Sequence, residues 1–412
     1  MPLNDRQQIA HKMAITSKVS IITGAPGVGK TYTLASIHEW AKDNRVKIAQ
    51  AAPTGKAAKQ MTMATGIAAS TIHKLLEPRK STNGFEFTRN QENPINADMV
   101  VLDECSMITN NLMADVIRAI DFDRTSLLLI GDHYQLPSVG AGAVLRDLIG
   151  SGVVPVTELT EIQRNSGDIV RACHLIKDSK IYEPSEWLDT KNGQNLRHLE
   201  VSSPEMIHHY IREIVTERMP SRGHDPVWDV QVLSPTNKRT ILSCDGLNTM
   251  LQKKLNSGNP AIDKYNFRVG DKIIQTKNEQ IPNLVGEKEL VVNGDIGLIT
   301  EIDKSAKLLT VTFFDPDRAV RIPMYDHNLL MAYCITVHRF QGSEAPVVII
   351  PVHSSFNFFV NRNWLYTAIS RAKEICITIG QFSAIRQAIK TDMAIKRVTR
   401  LKEKLNGNTV PA

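Results

Sequence analysis

The sequence predicts an α/β protein with two α/β domains, the second of which is interrupted by a small all-β insertion. In residues 19–156, near-continuous apolar runs alternate with helical stretches, which is typical of a parallel sheet covered on both faces. Short strands at close spacing fill residues 267–323 and predict the insertion. The α/β pattern resumes at Met331, with apolar runs over residues 347–352 and 375–379.

The composition excludes several classes of protein. The chain has 412 residues, of which 42% are hydrophobic and 22% are charged, as expected for a globular protein rather than a disordered or fibrous one. No apolar run approaches the roughly 20 residues that cross a bilayer, and we expect neither a membrane span nor a signal segment. The five cysteines occur singly, so we expect a cytoplasmic protein without disulfides or structural zinc.

The first domain is predicted from four apolar runs, at residues 19–23, 46–51, 99–102 and 126–130. The polar, turn-rich segment 77–96 interrupts them, and its Asn-Gly pair precedes an alternating Phe-Glu-Phe. Because Asn-Gly is the strongest short hairpin signal, we expect an inserted β-hairpin here. A disordered surface loop is the alternative.

The rest of the chain is less regular. Residues 160–225 are predicted to be helical, with three prolines as breakers, and a second α/β pattern begins at Val230. The β insertion is predicted from strands at residues 271–276, 296–302, 308–314 and 319–322. The predicted divisions are residues 1–158, 159–266, 267–323 and 324–412.

A glycine-rich segment follows the first predicted strand. Residues 24–31, GAPGVGKT, fit the pattern G-x-x-x-x-G-K-[ST] and open a predicted helix. Glycines in such a loop let backbone N–H groups surround phosphate oxygens, and the helix N-terminus favours negative charge. We therefore predict a P-loop nucleotide site in which Lys30 reaches the β- and γ-phosphates and Thr31 ligates Mg²⁺.

Two further strand tips would complete a hydrolytic site. Asp103 follows the strand MVVL and would hold Mg²⁺, while Glu104 would orient and polarise the attacking water. Gln135 follows the strand at 126–130 and would sense the γ-phosphate, unless it belongs to a polar turn held by proline. Arg164 and Arg371 could be supplied by a second domain, although an isolated arginine is most often a surface residue.

Together these segments resemble the superfamily 1 DNA helicases of the RecD/Dda type, in order and over nearly the whole chain. The first half is similar in LNDRQ (3–7), GAPGVGKT (24–31), APTGKAAK (52–59), STIHKLL (70–76), DECSM (103–107) and GDHYQLPSVGAG (131–142). LTEIQRN (159–165) resembles the arginine-bearing motif but departs from its usual EIFRQ form. The second half is similar in VLSPTNKR (232–239), FRVGDKIIQTKN (267–278), VNGDIGLI (292–299), ITVHRFQGSEAPVVII (335–350) and NWLYTAISRAKE (363–374).

The resemblance implies two RecA-like P-loop NTPase domains that bind ATP and Mg²⁺ between them. It implies an SH3-like β insertion at 267–323, a strand-separating hairpin at 77–96, and the compact form found in the phage Dda protein. Gln7 would read adenine, and Arg164 and Arg371 would complete the site. The implied nucleotide contacts are Gln7, Gly24, Ala25, Pro26, Gly27, Val28, Gly29, Lys30, Thr31 and Glu344.

The resemblance also implies a groove for single-stranded DNA, with forked or tailed duplex DNA as the substrate. Its residues would be Pro53, Thr54, His73, Thr236, Asn237, Thr336, His338 and Gln341. Hydroxyls, amides and backbone N–H groups suit phosphate contacts that ignore sequence. Phe85 or Phe87 could stack on the base pair at the fork, or could instead anchor the hairpin to its domain.

The function implied is an ATP-hydrolysing DNA helicase that travels 5′→3′, a polarity that comes from the family and not from the residues. It would act as a monomer in the cytoplasm, with replication or recombination proteins as partners. Two alternatives stay open: a translocase that displaces proteins with little unwinding, and a nucleotide-switched DNA-binding adaptor. Intact Glu104, Gln135, Arg164 and Arg371 argue against the adaptor, which needs no full hydrolytic set.

The formal net charge of +6 comes almost entirely from residues 385–412. Apolar residues there approximate one face of a helix, so we expect a docked C-terminal helix with a basic exposed side. That side either contacts DNA phosphates or is simply solvated.

Overall fold

The chain forms two units in this computed structural model, which describes residues 3–81, 84–161, 167–258, 266–314, 317–325, 327–392, 397 and 399–407. The first unit consists of Met1–Ser166 together with Asp392–Ala412, and the second is Gly167–Thr391. The predicted divisions differ from these units at the C-terminal end, because they assigned all of residues 324–412 to the second domain.

The first unit is built on a parallel sheet with helices on both faces. Its strands are β1 (Val19–Gly24), β2 (Ile48–Ala52), β3 (Ala69–Thr71), β4 (Pro78–Ser81), β5 (Gly84–Phe87), β6 (Met99–Leu102), β7 (Ser126–Gly131) and β8 (Val156–Leu159). Its helices are α1 (Asp5–Thr16), α2 (Lys30–Asp43), α3 (Gly55–Thr65), α4 (Ile72–Leu75), α5 (Asn110–Arg118) and α6 (Val144–Ser151). The order in the sheet is β3-β2-β6-β7-β1-β8, and every neighbouring pair is parallel.

Each face of this sheet carries its own apolar cluster. Ile21 and Val100 belong to one cluster, whereas their neighbours Ile22 and Val101 belong to the other. Because successive strand residues point to opposite faces, both faces are covered. This burial explains why the strands read as continuous apolar runs, and the predicted parallel sheet is confirmed.

The inserted hairpin is present. Strands β4 and β5 pair antiparallel, with Pro78 opposite Phe87 and Arg79 opposite Glu86. The Asn83 half of the turn signal lies outside the described residues. Phe87 is half-buried and packs against the apolar cluster of the first unit.

The second unit combines a parallel sheet with an antiparallel one. Its strands are β9 (Leu196–Glu200), β10 (Val230–Ser234), β11 (Lys272–Gln275), β12 (Glu279–Pro282), β13 (Lys288–Val291), β14 (Ile296–Asp303), β15 (Leu308–Phe313), β16 (Arg318–Pro323), β17 (Leu329–Met331), β18 (Cys334–Thr336), β19 (Ala345–Val352) and β20 (Ala372–Gly380). Its helices are α7 (Asp168–Lys177), α8 (Pro204–Glu213), α9 (Cys244–Leu255), α10 (Arg362–Ile369) and α11 (Phe382–Lys390). The parallel sheet has the order β18-β10-β19-β20-β9.

The β insertion has the antiparallel order β16-β15-β14-β11-β17, with a separate β12-β13 hairpin. Its core includes Ile273, Ile299, Val311 and Phe313, and burial alternates along β15 as expected for a sheet with one covered face. The insertion extends beyond the predicted boundary at residue 323, because β17 pairs with β11. Met331, predicted to resume the α/β pattern, therefore ends a strand of the insertion.

The C-terminal region is not one helix, so that prediction is wrong. Helix α11 ends at Lys390, Thr391 is extended, and a short helix α12 (Leu401–Leu405) follows. Helix α11 buries Ile385 and Ile389 in the second unit, whereas α12 packs on α6 of the first. The apolar spacing that predicted one face is thus divided between two units.

None of the described helices has the length and apolar character required to cross a membrane. Within the described part of the chain, no disulfide joins the five cysteines, and all five are buried.

Candidate nucleotide and nucleic-acid site

The glycine-rich segment joins the end of β1 to the start of α2, where a phosphate-binding loop requires it. Gly27 and Gly29 have φ angles of 79° and 85°, in the left-handed region that favours glycine. A Cβ atom on Gly24 would lie 2.7 Å from the carbonyl oxygen of Leu159. Three of the predicted contact positions therefore need glycine for the conformation or closeness of their backbone.

Lys30 folds back over this loop. Its Nζ donates to the carbonyl oxygens of Gly24 at 2.6 Å and Ala25 at 3.1 Å. The ammonium group thus lies at the carboxyl end of β1, next to the first carbonyl groups of the loop. Thr31 follows in the exposed first turn of α2.

The acidic tip of β6 lies at the same edge of the sheet, since β6, β7 and β1 are consecutive parallel strands. Asp103 Oδ1 accepts a hydrogen bond from the Glu104 backbone N–H at 2.7 Å. Glu104 has a φ of 52°, a strained conformation of the kind that clusters at functional sites. Gly131 permits this turn, because a Cβ there would lie 3.0 Å from the Cys105 backbone nitrogen.

The pKa of Asp103 is raised to about 6. Desolvation by burial is the largest cause, and the neighbouring Glu104 carboxylate raises it further. The Lys30 ammonium opposes both by lowering this pKa, which indicates that Lys30 and Asp103 are electrostatic neighbours. A cation placed between the two carboxylates would remove the repulsion between them.

The tip of β7 supplies the third side of the site. Gln135 is buried, and its backbone N–H donates to the Asp132 carbonyl oxygen at 3.2 Å. His133 Nδ1 lies 3.0 Å from the hydroxyl of Thr23, a residue of β1 just before the glycine-rich loop. The segment that carries Gln135 is therefore tied directly to the strand that carries the loop.

Gln7 lies at the third position of α1, in a capping box with Asn4. The Asn4 backbone N–H donates to Gln7 Oε1 at 3.1 Å, and the Gln7 backbone N–H donates to Asn4 Oδ1 at 2.8 Å. The Gln7 side chain is fully buried, yet its Nε2 has no hydrogen-bond partner among the described residues. A buried amide N–H group without a partner is costly, and an adenine ring nitrogen would satisfy it.

The donor set fits Mg²⁺ bound with a nucleotide. Thr31 offers a hydroxyl and Asp103 a carboxylate, which are the oxygen ligands that Mg²⁺ prefers. No group of three or more His, Cys, Asp or Glu residues forms a metal cage in the described ranges. Mg²⁺ usually binds through one or two carboxylates plus substrate phosphates, so the sparse set is sufficient.

In the second unit, Arg371 lies between α10 and β20. It is 4% exposed, and its guanidinium donates to the carbonyl oxygens of Thr367 at 3.3 Å and Ser343 at 3.4 Å. Glu344, the predicted nucleotide contact beside Ser343, is exposed and forms an ion pair with Lys373 at 3.6 Å. Arg164 lies outside the described residues.

The predicted DNA residues of the first unit lie at the carboxyl ends of β2 and β3. Pro53 follows β2, and the Thr54 hydroxyl accepts the Ala57 backbone N–H at 3.2 Å, so it also caps α3. His73 is exposed on α4, with its ring centroid 6.0 Å from that of Phe87. The side chain of Phe85 lies outside those described.

The predicted DNA residues of the second unit also share one sheet edge. Ser234 at the end of β10 pairs with Thr336 at the end of β18, and Thr236 and Asn237 follow directly after β10. Thr236 Oγ1 is buried and has no hydrogen-bond partner in the described part of the chain. His338 is exposed and Gln341 is buried in the loop after β18.

Family comparisons match three parts of the chain in order. An AAA domain matches residues 2–194, the SH3 domain of ATP-dependent RecD-like DNA helicases matches 247–313, and a UvrD-like helicase C-terminal domain matches 331–379. The middle match contains β11 to β15 of the β insertion. The chain is also 32% identical over 371 residues to the ATP-dependent RecD2 DNA helicase of Deinococcus radiodurans.

The chain belongs to the RecD type of superfamily 1 helicases. The Deinococcus match includes 89% of this RecD-type chain and 47% of that protein, so the chain spans about half of its length. The RecBCD enzyme subunit RecD of Mycolicibacterium smegmatis is 28% identical over 438 residues, which are 97% of this chain and 75% of that protein.

Solved structures share the fold of this RecD-type chain. A Pif1 structure described as the basis for DNA unwinding at forked duplex DNA matches with a TM-score of 0.59 and 17% identity, over 99% of this chain and 98% of that one. The Bacteroides Pif1 helicase in complex with ADP-AlF3 and single-stranded DNA matches with a TM-score of 0.54, 18% identity and 96% of each chain. The predicted RecA-like domains with an SH3-like insertion are confirmed.

Three features of this RecD-type chain were not predicted from the sequence. The Thr23–His133 contact joins residues 110 apart, and the capping box around Gln7 was missed although Asn4 and Gln7 have its spacing. The contacts of Arg397 with the first unit have no local sequence signal, because the partners lie more than 250 residues away.

Proposed function

We propose that this chain is an ATP-dependent DNA helicase that moves along single-stranded DNA in the 5′→3′ direction and unwinds duplex DNA, with ATP and Mg²⁺ as cofactors. The observation that carries the proposal is the position of Lys30, Asp103 and Gln135 at one edge of a parallel sheet, in a chain of RecD type. The description of its Deinococcus relative as an ATP-dependent DNA helicase supports the reaction. The polarity rests on the family resemblance.

Each group of the first unit has a role in this reaction. Lys30 and the loop N–H groups bind the phosphates, Gln7 holds the adenine ring through its amide, and Thr31 and Asp103 would hold Mg²⁺. Bound Mg²⁺ would neutralise phosphate charge as it develops during transfer. Glu104 orients the attacking water, and Gln135 detects the γ-phosphate. Arg371 of the second unit and Arg164, which belongs to the first, would supply positive charge.

Nucleotide turnover drives movement only if each unit binds the strand differently before and after hydrolysis. Pro53 and Thr54 follow β2, the neighbour of the strand β6 that carries the acidic tip, and His73 follows β3, one strand further along the sheet. Hydroxyl, amide and backbone groups at both sheet edges bind phosphates without reading bases, as a translocating enzyme requires.

The decisive experiment compares duplexes that carry a 5′ or a 3′ single-stranded tail, mixed with the protein, ATP and Mg²⁺. We expect strand release on the 5′ tail only. Absence of release on either tail would refute the helicase proposal, and release on the 3′ tail only would refute the polarity. Protein displacement from single strands without duplex release would favour the translocase alternative.

Lys30→Ala tests the phosphate site. We expect loss of ATP turnover with measurable DNA binding, because the ammonium contacts phosphates and not the DNA groove. The matched control is Lys42→Ala, an exposed lysine in the last turn of the same helix, which should behave as the parent. ATPase activity stimulated by single strands in Lys30→Ala would show that the assignment is wrong.

The proposal includes the setting in which the chain acts. We place it in the cytoplasm as a monomer that binds single-stranded and forked DNA, with replication or recombination proteins as partners. The compact Dda-like form, including a phage origin, remains a prediction from the resemblance. Sedimentation with and without a forked duplex tests the monomer.

A further inference from the structure

The C-terminal segment contacts the loop that follows Gln135. We call residues 138–142 the clamp loop, and we call Arg397 together with residues 399–405 the C-terminal strap. Arg397 Nη1 donates to the carbonyl oxygens of Gly140 at 2.9 Å and Gly142 at 2.8 Å, and Nη2 donates to that of Ser138 at 2.8 Å. One guanidinium thus binds three carbonyl oxygens of a five-residue loop.

The clamp loop is shaped for this contact. Gly140 and Gly142 have φ angles of 139° and 111°, which residues other than glycine rarely adopt. These conformations turn alternate carbonyl groups towards the same point. The planar guanidinium of an arginine has several N–H donors and can bind these carbonyl groups at the same time. The compact ammonium of a lysine cannot bind them in the same geometry.

The clamp loop is held on its other side by the helix that follows the acidic tip. The Asn110 backbone N–H, at the start of α5, donates to the Ala141 carbonyl oxygen at 3.1 Å. The strap has further anchors beyond Arg397. Thr399 donates to the Asp147 carboxylate on α6, and Leu401 packs against the apolar cluster of the first unit.

The restraint lies close to the catalytic machinery. Two residues, Leu136 and Pro137, separate Gln135 from Ser138, and Leu136 is buried while Pro137 has a fixed φ. A displacement of the clamp loop would therefore move Gln135, because little flexible chain lies between them. The strap also follows the second point at which the chain passes from one unit to the other, after Thr391.

We propose that Arg397 is a positioning residue for ATP hydrolysis, which acts by holding the clamp loop so that Gln135 faces the γ-phosphate. This inference rests on the proposed function. The strap thereby restrains the Gln135 segment within the first unit.

The test measures ATPase activity stimulated by single-stranded DNA in Arg397→Ala and Arg397→Lys. We expect both to lower kcat about tenfold, less than the roughly hundredfold loss that a 1 Å misplacement can cause. The KM for ATP should stay within about twofold, because the phosphate loop and Gln7 are untouched. Lys404→Ala, an exposed lysine of the same strap, is the control and should match the parent.

A double-mutant cycle separates positioning from general stability. If Arg397 acts through Gln135, adding Arg397→Ala to Gln135→Ala should change kcat less than about twofold. Independent, multiplicative losses would overturn the proposal, as would a parent-like kcat in Arg397→Ala. Arg397→Lys serves the same comparison if the alanine variant does not fold. A parent protein without ATPase activity would refute the proposed function as well, whereas a fully active Arg397→Ala refutes this inference only.

Discussion

Gln7 illustrates how one side chain serves both folding and recognition. Its Oε1 accepts a hydrogen bond that completes the N-terminus of α1, whereas its Nε2 is buried without a partner in the described part of the chain. The free energy of the cap offsets part of the cost of burying the second atom. A base with a hydrogen-bond acceptor at its edge would offset the rest of this cost by accepting a hydrogen bond from Gln7 Nε2.

Gln7→Ala should raise the KM for ATP about tenfold and reduce the preference for ATP over GTP, because a lost hydrogen bond to a buried polar group costs about 1–3 kcal/mol. Asn4→Ala is the matched control, since it removes the same capping box but leaves the amide. Nucleotide titrations of both variants give the comparison. Equal changes in KM would assign the effect of Gln7 to the cap.

His38 makes folding stability depend on pH. Burial lowers the pKa of His38, and a hydrogen bond between its Nε2 and Gln50 Oε1 at 2.9 Å opposes this only in part. Between the lowered pKa and 6.5, the unfolded chain binds more protons than the folded one. The free energy of unfolding should therefore fall as the pH drops below about 6.5.

His38→Gln should flatten this pH dependence relative to the parent, by at most about 1.4 kcal/mol per pH unit. His198 and His208 also have pKa values lowered mainly by burial, so part of the slope should remain. Urea unfolding at pH 5, 6 and 7 measures the difference. His209→Gln, at an exposed histidine, is the control. If the free energy of unfolding depended on pH equally in the parent and in His38→Gln, His38 would not be the source of this pH dependence.

At the scale of elements, Phe87 anchors the hairpin β4–β5 to the first unit. Phe87 packs on the apolar cluster of the first unit and lies 6.0 Å from the His73 ring, centroid to centroid. This placement favours an anchoring role for Phe87. Stacking at the fork then remains a prediction for Phe85.

Phe87→Ala should lower the free energy of unfolding by about 2 kcal/mol, less than the ~3–5 kcal/mol of a fully buried phenylalanine, since Phe87 is half-buried. Phe85→Ala should slow duplex unwinding while sparing ATPase activity stimulated by single strands. Thermal melting and the strand-release assay separate the two effects. A Phe87→Ala variant that melts like the parent but unwinds slowly would place Phe87 at the fork instead.

The strands that the sequence predicted best are those buried on both faces. β1, β6 and β7 are continuous apolar runs, and their bounds agree with the prediction within one residue. The strand β9 was missed because most of its sequence, LRHLE, is polar, which its partly exposed position allows. The strands β12 and β13 are half polar. Their pairing depends on distant partners that a local pattern does not contain.

At the scale of the whole molecule, the first unit is discontinuous in sequence. Leu401 joins the apolar cluster that lies beneath α6, and α12 packs on that helix. The sequence correctly predicted that the segments with Lys30, Asp103 and Gln135 each follow a strand, while their catalytic roles stay predictions. It could not place Arg397, because an arginine in a basic segment has the same local pattern whether it is solvated or bound to carbonyl groups.

Leu401→Ser in the full chain should speed hydrogen exchange in α6 and the clamp loop, because it weakens the attachment of the strap. Exchange in β14 and β15 of the SH3-like insertion should not change, since these strands have their own core. Hydrogen–deuterium exchange with mass spectrometry measures both regions at once. Faster exchange in the insertion would indicate a general loss of stability rather than release of the strap.

The return of the strap has a consequence for synthesis on the ribosome. The Arg397–Ser138 hydrogen bonds join residues 259 apart, so the first unit cannot complete its contacts until the whole second unit has been made. At about 5–20 residues per second, the wait after residue 166 lasts roughly 10–50 seconds. During that interval the apolar surface that later receives Leu401 is exposed to solvent. A nascent chain with slow codons after Thr391 should therefore stay bound to chaperones for longer.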